Sequence, residues 1–250
     1  MDDYLSEVKS GVEFQDDREL WLQEMRSDNE LKAQVLETMR LLEARRYVYQ
    51  WNWLGIPIIK FPEEILLIQE LFHKYRPSAV IEIGVARGGG IALYHSLQSL
   101  LAIKPNVLGI DIKFFPHTKS ALNHLLVDGV QLLETSSTSK EAVSRIREFI
   151  SGHERVMIIL DGDHSHDNVL KELEICDSLL PQGSIVLCAD TIINQVPQST
   201  AKRNWNKEAN PKSALEEFLG KNENWNEIPE VCNKVLLSES PNGWIIKTKP

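Results

Sequence analysis

The stretch VIEIGVARGGGIAL, residues 80–93, decides the fold class of this chain. Its first four residues are β-branched apart from one acid, Glu82, and they predict a short buried strand. Glycines then crowd the chain at positions 84, 88, 89 and 90, and a helical pattern begins at Ile91. A strand, a glycine turn and a helix in this order are typical of a backbone that approaches a ligand closely.

Three kinds of ligand are compatible with a glycine turn of this general type. A phosphate-binding P-loop needs Lys and then Ser or Thr after its last glycine, whereas Gly89 is followed by Gly90 and Ile91, which excludes that motif. A dinucleotide fingerprint aligns Gly84, Ala86 and Gly89, so its second glycine is an alanine. That glycine lets a pyrophosphate approach, and its loss weakens the dinucleotide interpretation.

S-adenosylmethionine (SAM) is the third ligand, and its site has no pyrophosphate to hold. It requires an acid near the end of the first strand beside a tight turn, which Glu82 and Gly84 provide. Asp111 ends the second predicted strand, where a carboxylate accepts ribose hydroxyls in both NAD and SAM folds, so it does not discriminate between them. A glycine turn without any ligand stays open as an alternative. The predicted cofactor-binding residues are Glu82, Gly84, Ala86, Gly88, Asp111 and Ser136.

Composition limits the partners and the compartment. A net charge of −9 and an isoelectric point near 5.3 argue against nucleic acid, because phosphate backbones require a basic face. The three cysteines, Cys176, Cys188 and Cys232, have no metal-type spacing and predict reduced thiols in a cytoplasmic protein. The first residues resemble no signal peptide, and no apolar run approaches the roughly 18 residues that cross a bilayer.

Two parts are predicted along the chain. Residues 1–60 form an acidic, helical appendage that ends in the aromatic patch YVYQWNWLGIPI (47–58), which either packs on the main domain or covers the substrate. Residues 61–250 form the main domain, in which Pro62 opens a helix. Its predicted strands are 79–83, 107–111, 130–134, 156–160 and 184–189.

Alternation of these strands with helices predicts an α/β, doubly wound, mostly parallel sheet. Thr138 and Glu141 predict a capping box for a helix over 138–151, and Asn210–Pro211 caps a later helix. The segments KVLLSES (234–240) and GWIIKTK (243–249) flank Pro241–Asn242 and predict a closing hairpin, so the last strand runs antiparallel.

A second group of polar residues follows the fourth and fifth strands. LDGDHSHD contains Asp161 and His164, and LCADT contains Asp190. The carboxyl ends of parallel strands meet at one edge, so the two aspartates are predicted to hold a hard divalent ion such as Mg²⁺. His164 is the predicted general base for a hydroxyl near that metal. Asp167 is interpreted as a helix N-terminal acid and His166 as a solvated loop histidine.

The motif order resembles the cephalosporin hydroxylase family of SAM-dependent O-methyltransferases, which are related to rhamnosyl and macrolide-sugar O-methyltransferases. The resemblance begins at YQWNWLGIPIIKFPEE, runs through VLGIDI, LDGDHSHDNVLKEL, ADTIIN and NPKSALEEFL, and ends at the PNGW hairpin. It implies a seven-stranded methyltransferase sheet, a Mg²⁺ site, a sugar or small-molecule acceptor and a homo-oligomer. It places the metal ligand on Asp161 and the base on His164.

One residue departs from the family pattern. Relatives tend to have a Glu–Asp pair after the fifth strand, where this chain has Ala189–Asp190, so only two carboxylates are firm ligands. By analogy with catechol-type enzymes, Thr191 or water completes the site. Two alternatives remain: a metal-dependent glycosyltransferase that uses the Asp161–Gly162–Asp163 motif, and a non-catalytic SAM-fold subunit.

Overall fold

A seven-stranded sheet with helices on both faces organises the chain. The computed structural model describes residues 11–125, 128–196, 206–228, 231 and 234–249. The strands that follow the N-terminal part are β3 (Ala79–Ile83), β4 (Val107–Asp111), β5 (Val130–Glu134), β6 (Val156–Leu160), β7 (Ile185–Cys188), β8 (Trp225–Glu227) and β9 (Trp244–Lys247). Their order across the sheet is β5-β4-β3-β6-β7-β9-β8.

Five strands of the sheet are parallel to one another, and the last strand of the chain, β9, runs antiparallel to its neighbours. β3 to β7 pair in parallel, whereas β9 pairs antiparallel with both β7 and β8. The predicted mostly parallel α/β sheet with an antiparallel final strand is therefore confirmed. The partner strand was predicted wrongly: β9 pairs with residues 225–227 and 185–187, and no strand occurs in the described part of 234–240.

Helices cover both faces of this sheet. The main-domain helices are α3 (Pro62–Tyr75), α4 (Gly89–Leu100), α5 (Pro116–Leu122), α6 (Lys140–Phe149), α7 (His166–Leu179) and α8 (Pro211–Lys221). Successive residues of β3 face opposite layers, so Val80 packs in one apolar cluster with Phe72 and Tyr94, and Ile81 packs in the other with Leu173. β3, β4, β6 and β7 are apolar and buried on both faces, which explains why these runs were predictable from composition, whereas the edge strand β5 is only partly buried.

Capping residues and prolines mark the starts of the helices, and one predicted cap is wrong. Pro62 occupies the first turn of α3, as predicted, and Asn210 caps α8 in a box with Ser213. The predicted box of Thr138 and Glu141 is wrong: Ser139 is the N-cap of α6, and its hydroxyl accepts from the Ala142 amide at 3.0 Å. Serine and threonine both cap helices through their hydroxyl, so local chemistry does not decide which of two adjacent residues is the N-cap.

The N-terminal part consists of two helices and a small hairpin. They are α1 (Gly11–Ser27), α2 (Asn29–Glu43), a 3₁₀ turn (Tyr47–Gln50), β1 (Trp51–Trp53) and β2 (Ile56–Ile58). The hairpin packs on the main domain, since the Trp53 indole donates to the Ser96 hydroxyl of α4 at 2.9 Å. Residues 1–10 and Cys232 lie outside the described residues. Among the helices described, none has both the length and the apolar character that crossing a bilayer requires.

Candidate active site

The carboxyl ends of β3, β6 and β7 meet at one edge of the sheet. Ile83 pairs with Leu160, and Leu160 pairs with Cys188, so the residues that follow these strands are neighbours. These are Gly84, Asp161 and the Ala189–Asp190 pair. The parallel register thus brings the glycine turn and the predicted metal ligands together, as parallel sheets do at their ligand-binding edge.

The glycine turn lies directly against the end of β6. Gly84 has a φ of +90°, and a Cβ there would lie 2.1 Å from the carbonyl oxygen of Asp161. Gly88 has a φ of +93° and Ala86 a φ of +47°, so the chain turns through left-handed geometry three times in five residues. Glycine at position 84 is required by both conformation and space, which explains the first glycine of the motif.

Asp111 holds this turn from the neighbouring strand. Its Oδ2 accepts from the amides of Val85 at 2.9 Å and Ala86 at 3.3 Å, and its Oδ1 accepts from the Lys113 amide at 3.2 Å. The residue is half-buried at the end of β4. Its first structural task is therefore to fix the turn. The carboxylate stays at the sheet edge where a ribose-binding acid was predicted.

Ser136 follows β5 at the same edge of the sheet. It is exposed, and its hydroxyl lies 3.4 Å from that of Thr138. Since β5 pairs with β4, Ser136 is one strand further from the turn than Asp111 is. It does not line the cavity that holds the aspartates, and its cofactor role stays a prediction.

Three side chains form a group that could hold a metal ion. One ligand atom from each of Asp161, His164 and Asp190 lies within 4.8 Å of the other two. The His164 Nε2 is 3.3 Å from the Asp190 Oδ2. Burial raises the pKa of Asp190, although His164 opposes the shift. The two carboxylates are the kind of donor that Mg²⁺ prefers, whereas an imidazole is a better ligand for first-row transition ions such as Zn²⁺ and Fe²⁺.

Thr191 does not complete this group. It is buried, and its hydroxyl donates to the Pro241 carbonyl oxygen at 2.6 Å. Ala189, where relatives were expected to have an acid, is 1% exposed within the apolar cluster that contains Leu187. Neither residue adds an oxygen donor, and the side chain beside the two aspartates is the imidazole of His164, which comes from the same loop as Asp161.

Lys60 is a site residue that sequence reasoning missed. Its ammonium lies 3.1 Å from the Asp161 Oδ2, and the residue is 3% exposed. Burial opposes its charge, but Asp161, Glu239 and Glu82 outweigh burial and raise the pKa of Lys60 well above its ordinary value. Asp161 therefore faces a fixed cation on one side and the cavity on the other. Only the position of Lys60 directly after the aromatic patch was visible in the sequence.

Glu82, the predicted cofactor acid, points into the layer beneath α4. It is 3% exposed, and its Oε1 accepts from the Tyr94 hydroxyl at 3.0 Å. The Oε1 would lie 2.0 Å from a Cβ at Gly90, so glycine there makes room for the acid. Burial raises the pKa of Glu82 to about 8, against the opposing effect of Lys60. Glu82 does not line the cavity with the aspartates.

The histidine two positions beyond His164 was interpreted wrongly. His166 is the first residue of α7, its Nδ1 lies 2.8 Å from the Ser213 hydroxyl, and its Nε2 lies 3.1 Å from Glu217 Oε2. It is a contact between α7 and α8 and not a solvated loop residue. Asp167 lies in the first turn of α7, as predicted.

The second acid of the Asp161–Gly162–Asp163 motif has a local structural role. Asp163 Oδ1 accepts from the Ser165 amide at 2.9 Å, just before α7 begins. It is outside the group formed by Asp161, His164 and Asp190. The pairing of both motif acids on one ion, which the glycosyltransferase alternative requires, is therefore not the arrangement observed.

A cavity of about 380 Å³ opens above these groups. Its floor contains Gly84, Ala86 and the three candidate ligands, and its other walls come from the N-terminal part and from the segments near residues 192 and 239. The wall residues are Met39, Glu43, Val48, Tyr49, Ile59, Phe61, Ile192, Val196 and Glu239. Trp53 of the aromatic patch packs on α4, as one of the two interpretations predicted, and Tyr49 lines the cavity; a role as a cover for the substrate stays a prediction. A larger groove of about 550 Å³ between α2 and α3 lacks this chemistry.

Known proteins are similar to this chain in sequence. The chain is 26% identical over 197 residues to a rhamnosyl O-methyltransferase of Mycobacterium tuberculosis, a match that covers 78% of each chain. It is 27% identical over 153 residues to the Mycobacterium leprae enzyme of that name, covering 60% of this chain and 65% of that relative. The chain thus spans about two thirds of the M. leprae protein's length.

Solved structures agree on the fold. An apo structure of CmcI superposes with a TM-score of 0.60 at 18% identity, covering 81% of this chain and 78% of that one. A CmcI structure described as containing Mg and SAM gives 0.54 at 16% identity, covering 80% and 78%. The predicted methyltransferase fold is confirmed by these similarities.

The family model described as Rhamnosyl O-methyltransferase/CmcI matches residues 45–248. This range contains the glycine turn, the two aspartates, His164 and the final strand. It begins close to residue 47, where the resemblance of the sequence was expected to start. The predicted family is confirmed, and with it the enzyme class: this chain belongs to the rhamnosyl O-methyltransferase/CmcI family of O-methyltransferases.

Proposed function

We propose that this protein transfers a methyl group from SAM to a hydroxyl of a sugar or small-molecule acceptor, with the help of a divalent ion. The observation that carries the proposal is the group formed by Asp161, His164 and Asp190, which lies in one cavity with the glycine turn at Gly84. The names of the relatives, rhamnosyl O-methyltransferases, support a sugar acceptor. The Mg and SAM in the CmcI structure support both ligands.

The turn residues suit a cofactor without phosphates. SAM supplies a methyl group that its sulfonium already activates, so the protein's tasks are binding, orientation and proton removal. Gly84, Ala86 and Gly88 would follow the cofactor with their backbone, and Asp111 would accept the ribose hydroxyls while it fixes the turn. Glu82 would support the glycine turn from the layer beneath α4, because its carboxyl is buried against Tyr94.

Asp161 and Asp190 would hold the ion. Mg²⁺ prefers oxygen ligands and keeps several waters, so two carboxylates at the sheet edge leave positions for acceptor oxygens. A positive charge there favours the alkoxide form of an acceptor hydroxyl. Lys60 would orient Asp161 through its 3.1 Å contact with Oδ2, and Oδ1 would remain for the ion.

His164 would take the proton from the acceptor hydroxyl. Its ring lines the cavity, and the 3.3 Å contact between its Nε2 and Asp190 Oδ2 fixes the ring at the ligand edge. An imidazole is the usual proton acceptor near neutral pH, and a positioned base contributes about 10²–10⁴ in rate. Proton removal from the hydroxyl leaves the oxygen ready to accept the methyl group.

The test is transfer of a labelled methyl group. Purified protein with methyl-labelled SAM and a panel of glycosides and small phenols should give a methylated product that a chelator suppresses and Mg²⁺ or Mn²⁺ restores. His164→Ala should bind SAM normally yet lose about 10²–10⁴ in kcat. His124, an exposed histidine outside the cavity, provides the matched control. Normal turnover by His164→Ala, or full activity in chelator, would contradict the proposed roles.

The organisation beyond the active site is also proposed. The N-terminal part, residues 1–60, would act as an appendage to the main domain, 61–250, and mediate a homo-oligomer in the cytoplasm. Exposed apolar side chains on α1 support the oligomer: Phe14, Leu20 and Trp21 are each about half exposed. The buried free thiols of Cys176 and Cys188 support a reducing compartment. Light scattering of the wild type and of a Trp21→Glu variant would test the oligomer.

A further inference from the structure

Part of the cavity wall comes from outside the region that the family shares. Met39 and Glu43 lie on α2 and face the same cavity as Asp161 and Asp190. The family match begins at residue 45, so both residues precede it. The reacting groups therefore lie within the range that the family model matches, whereas this part of the wall precedes it.

Contacts on both sides fix this wall in place. The Arg40 guanidinium donates to the Gln195 carbonyl oxygen, at 3.2 Å from Nη2 and 3.4 Å from Nε. Met39 is 4% exposed and packs in a small apolar cluster with Phe61 and Val196. The end of α2 is thus tied to the segment that follows Asp190, and its cavity-facing residues have a defined position relative to the candidate ligands.

Glu43 carries the charge that distinguishes this wall. It is half-buried at the end of α2 and lines the same cavity as Asp190. Lys60 already compensates the charge of Asp161 from the buried side, and a divalent ion would compensate that of Asp190. Glu239, the other acid of the cavity wall, accepts a hydrogen bond from the Phe61 amide at 3.2 Å, and burial and the neighbouring Glu64 raise its pKa well above the ordinary value. Glu43 therefore adds a further carboxyl group to the cavity wall, on the same helix as the apolar Met39 and apart from the two candidate metal ligands.

We propose that Glu43 determines acceptor specificity: it disfavours acceptors with an anionic group beside the reacting hydroxyl and favours those with an amino group there. The apolar side chains beside it, Met39 and Val48, provide a surface for the C–H face of a ring. A charge held in a partly desolvated cavity acts on a ligand charge more strongly than it does in water. The inference rests on the proposed function, because it assumes that this cavity takes the acceptor.

Three probes of one shape test the inference: methyl α-glucopyranoside, its 6-amino-6-deoxy analogue and the corresponding methyl glucuronide. Calorimetry at pH 7.5, with S-adenosylhomocysteine and Mg²⁺ present, measures their binding without turnover. Wild type should bind the amine at least tenfold more tightly than the carboxylate, about 1.4 kcal/mol. Glu43→Gln should reduce this ratio about tenfold and leave S-adenosylhomocysteine binding unchanged.

The matched control is Glu30→Gln. Glu30 is exposed at the start of the same helix, so this change removes the same charge far along α2 from the cavity-facing end. It should preserve the wild-type ratio. Equal binding of the three probes by wild type, no binding of any of them, or a ratio that survives Glu43→Gln would overturn the inference. Failure of the proposed function would look different. The labelled-SAM screen would then give no methylated product, although the preference among the probes would persist and depend on Glu43.

Discussion

Replacing Lys60 with Met should destabilise the metal-free protein and make it more responsive to metal. Lys60 is the cation that compensates Asp161 from the buried side, with 3.1 Å between Nζ and Oδ2. Removing one partner of a buried pair costs about 3–5 kcal/mol, because an uncompensated charge remains. The Asp161 side chain keeps 26% exposure, so water screens it partly and the lower end, about 3 kcal/mol, applies.

This loss should appear as a lower melting temperature. For a chain of this size about 2–4 °C correspond to 1 kcal/mol, so Lys60→Met should melt roughly 6–12 °C below wild type without metal. Mn²⁺ should recover much of the difference, since the ion supplies the missing positive charge and no ammonium opposes it. The stabilisation by a fixed Mn²⁺ concentration should therefore be larger in Lys60→Met than in wild type.

Thermal unfolding followed by circular dichroism, with and without Mn²⁺, measures both effects. Lys119→Met is the matched control, because Lys119 lies 3.2 Å from Glu134 Oε2 but both side chains are about half exposed. An exposed pair contributes less than about 1 kcal/mol, so that variant should melt close to wild type and respond to Mn²⁺ as wild type does. A Lys60→Met protein that melts with wild type, or gains no more from Mn²⁺, would refute the reasoning.

Three further outcomes are expected. Burial raises the pKa of Glu172 to about 7. The protonated carboxyl therefore contributes fully to the free energy of unfolding below pH 4.5, and this contribution is lost as the pH rises toward 7. Glu172→Gln should remove about 3 kcal/mol of this pH dependence in unfolding titrations. A wild-type unfolding free energy that is flat over that range would contradict it. Asp111→Ala should weaken SAM binding by about 1.5–3 kcal/mol in calorimetry, and unchanged affinity would remove it from the site. His166→Ala should lower the melting temperature but leave SAM affinity unchanged, because it joins α7 to α8.

Local patterns were sufficient for the sheet and for the positions of most candidate residues. Four of the five predicted strands have the bounds observed, and the fifth, 184–189, is observed at Ile185–Cys188. All of them except the edge strand β5 are apolar on both faces, so their composition indicates a strand without knowledge of its neighbours. The order of strand, loop and helix also placed Asp161, His164 and Asp190 after strand ends, where a parallel sheet brings ligands together.

Long-range packing decided what those residues contact. Lys60 reaches Asp161 across 101 positions of sequence, and His166 reaches Glu217 across 51. Neither pair has a spacing that a helix or strand imposes, so no periodicity could reveal them. The same applies to the partner of the last strand: β9 pairs with β8 (Trp225–Glu227), three residues whose burial pattern depends on their place at the sheet edge.

The direction of a buried side chain is likewise a tertiary property. The acid at position 82 was visible in the motif, but its carboxyl lies under α4 against Tyr94, because strand alternation points it into the layer that this helix covers. Glu43 joins the cavity only because Arg40 and Met39 fix α2 over the segment after Asp190. The sequence by itself determined the parallel strands of the sheet and the edge at which the candidate site residues lie, because both follow from local periodicity. Which charges face one another at that edge depended on how distant helices pack, and only the folded chain decides that.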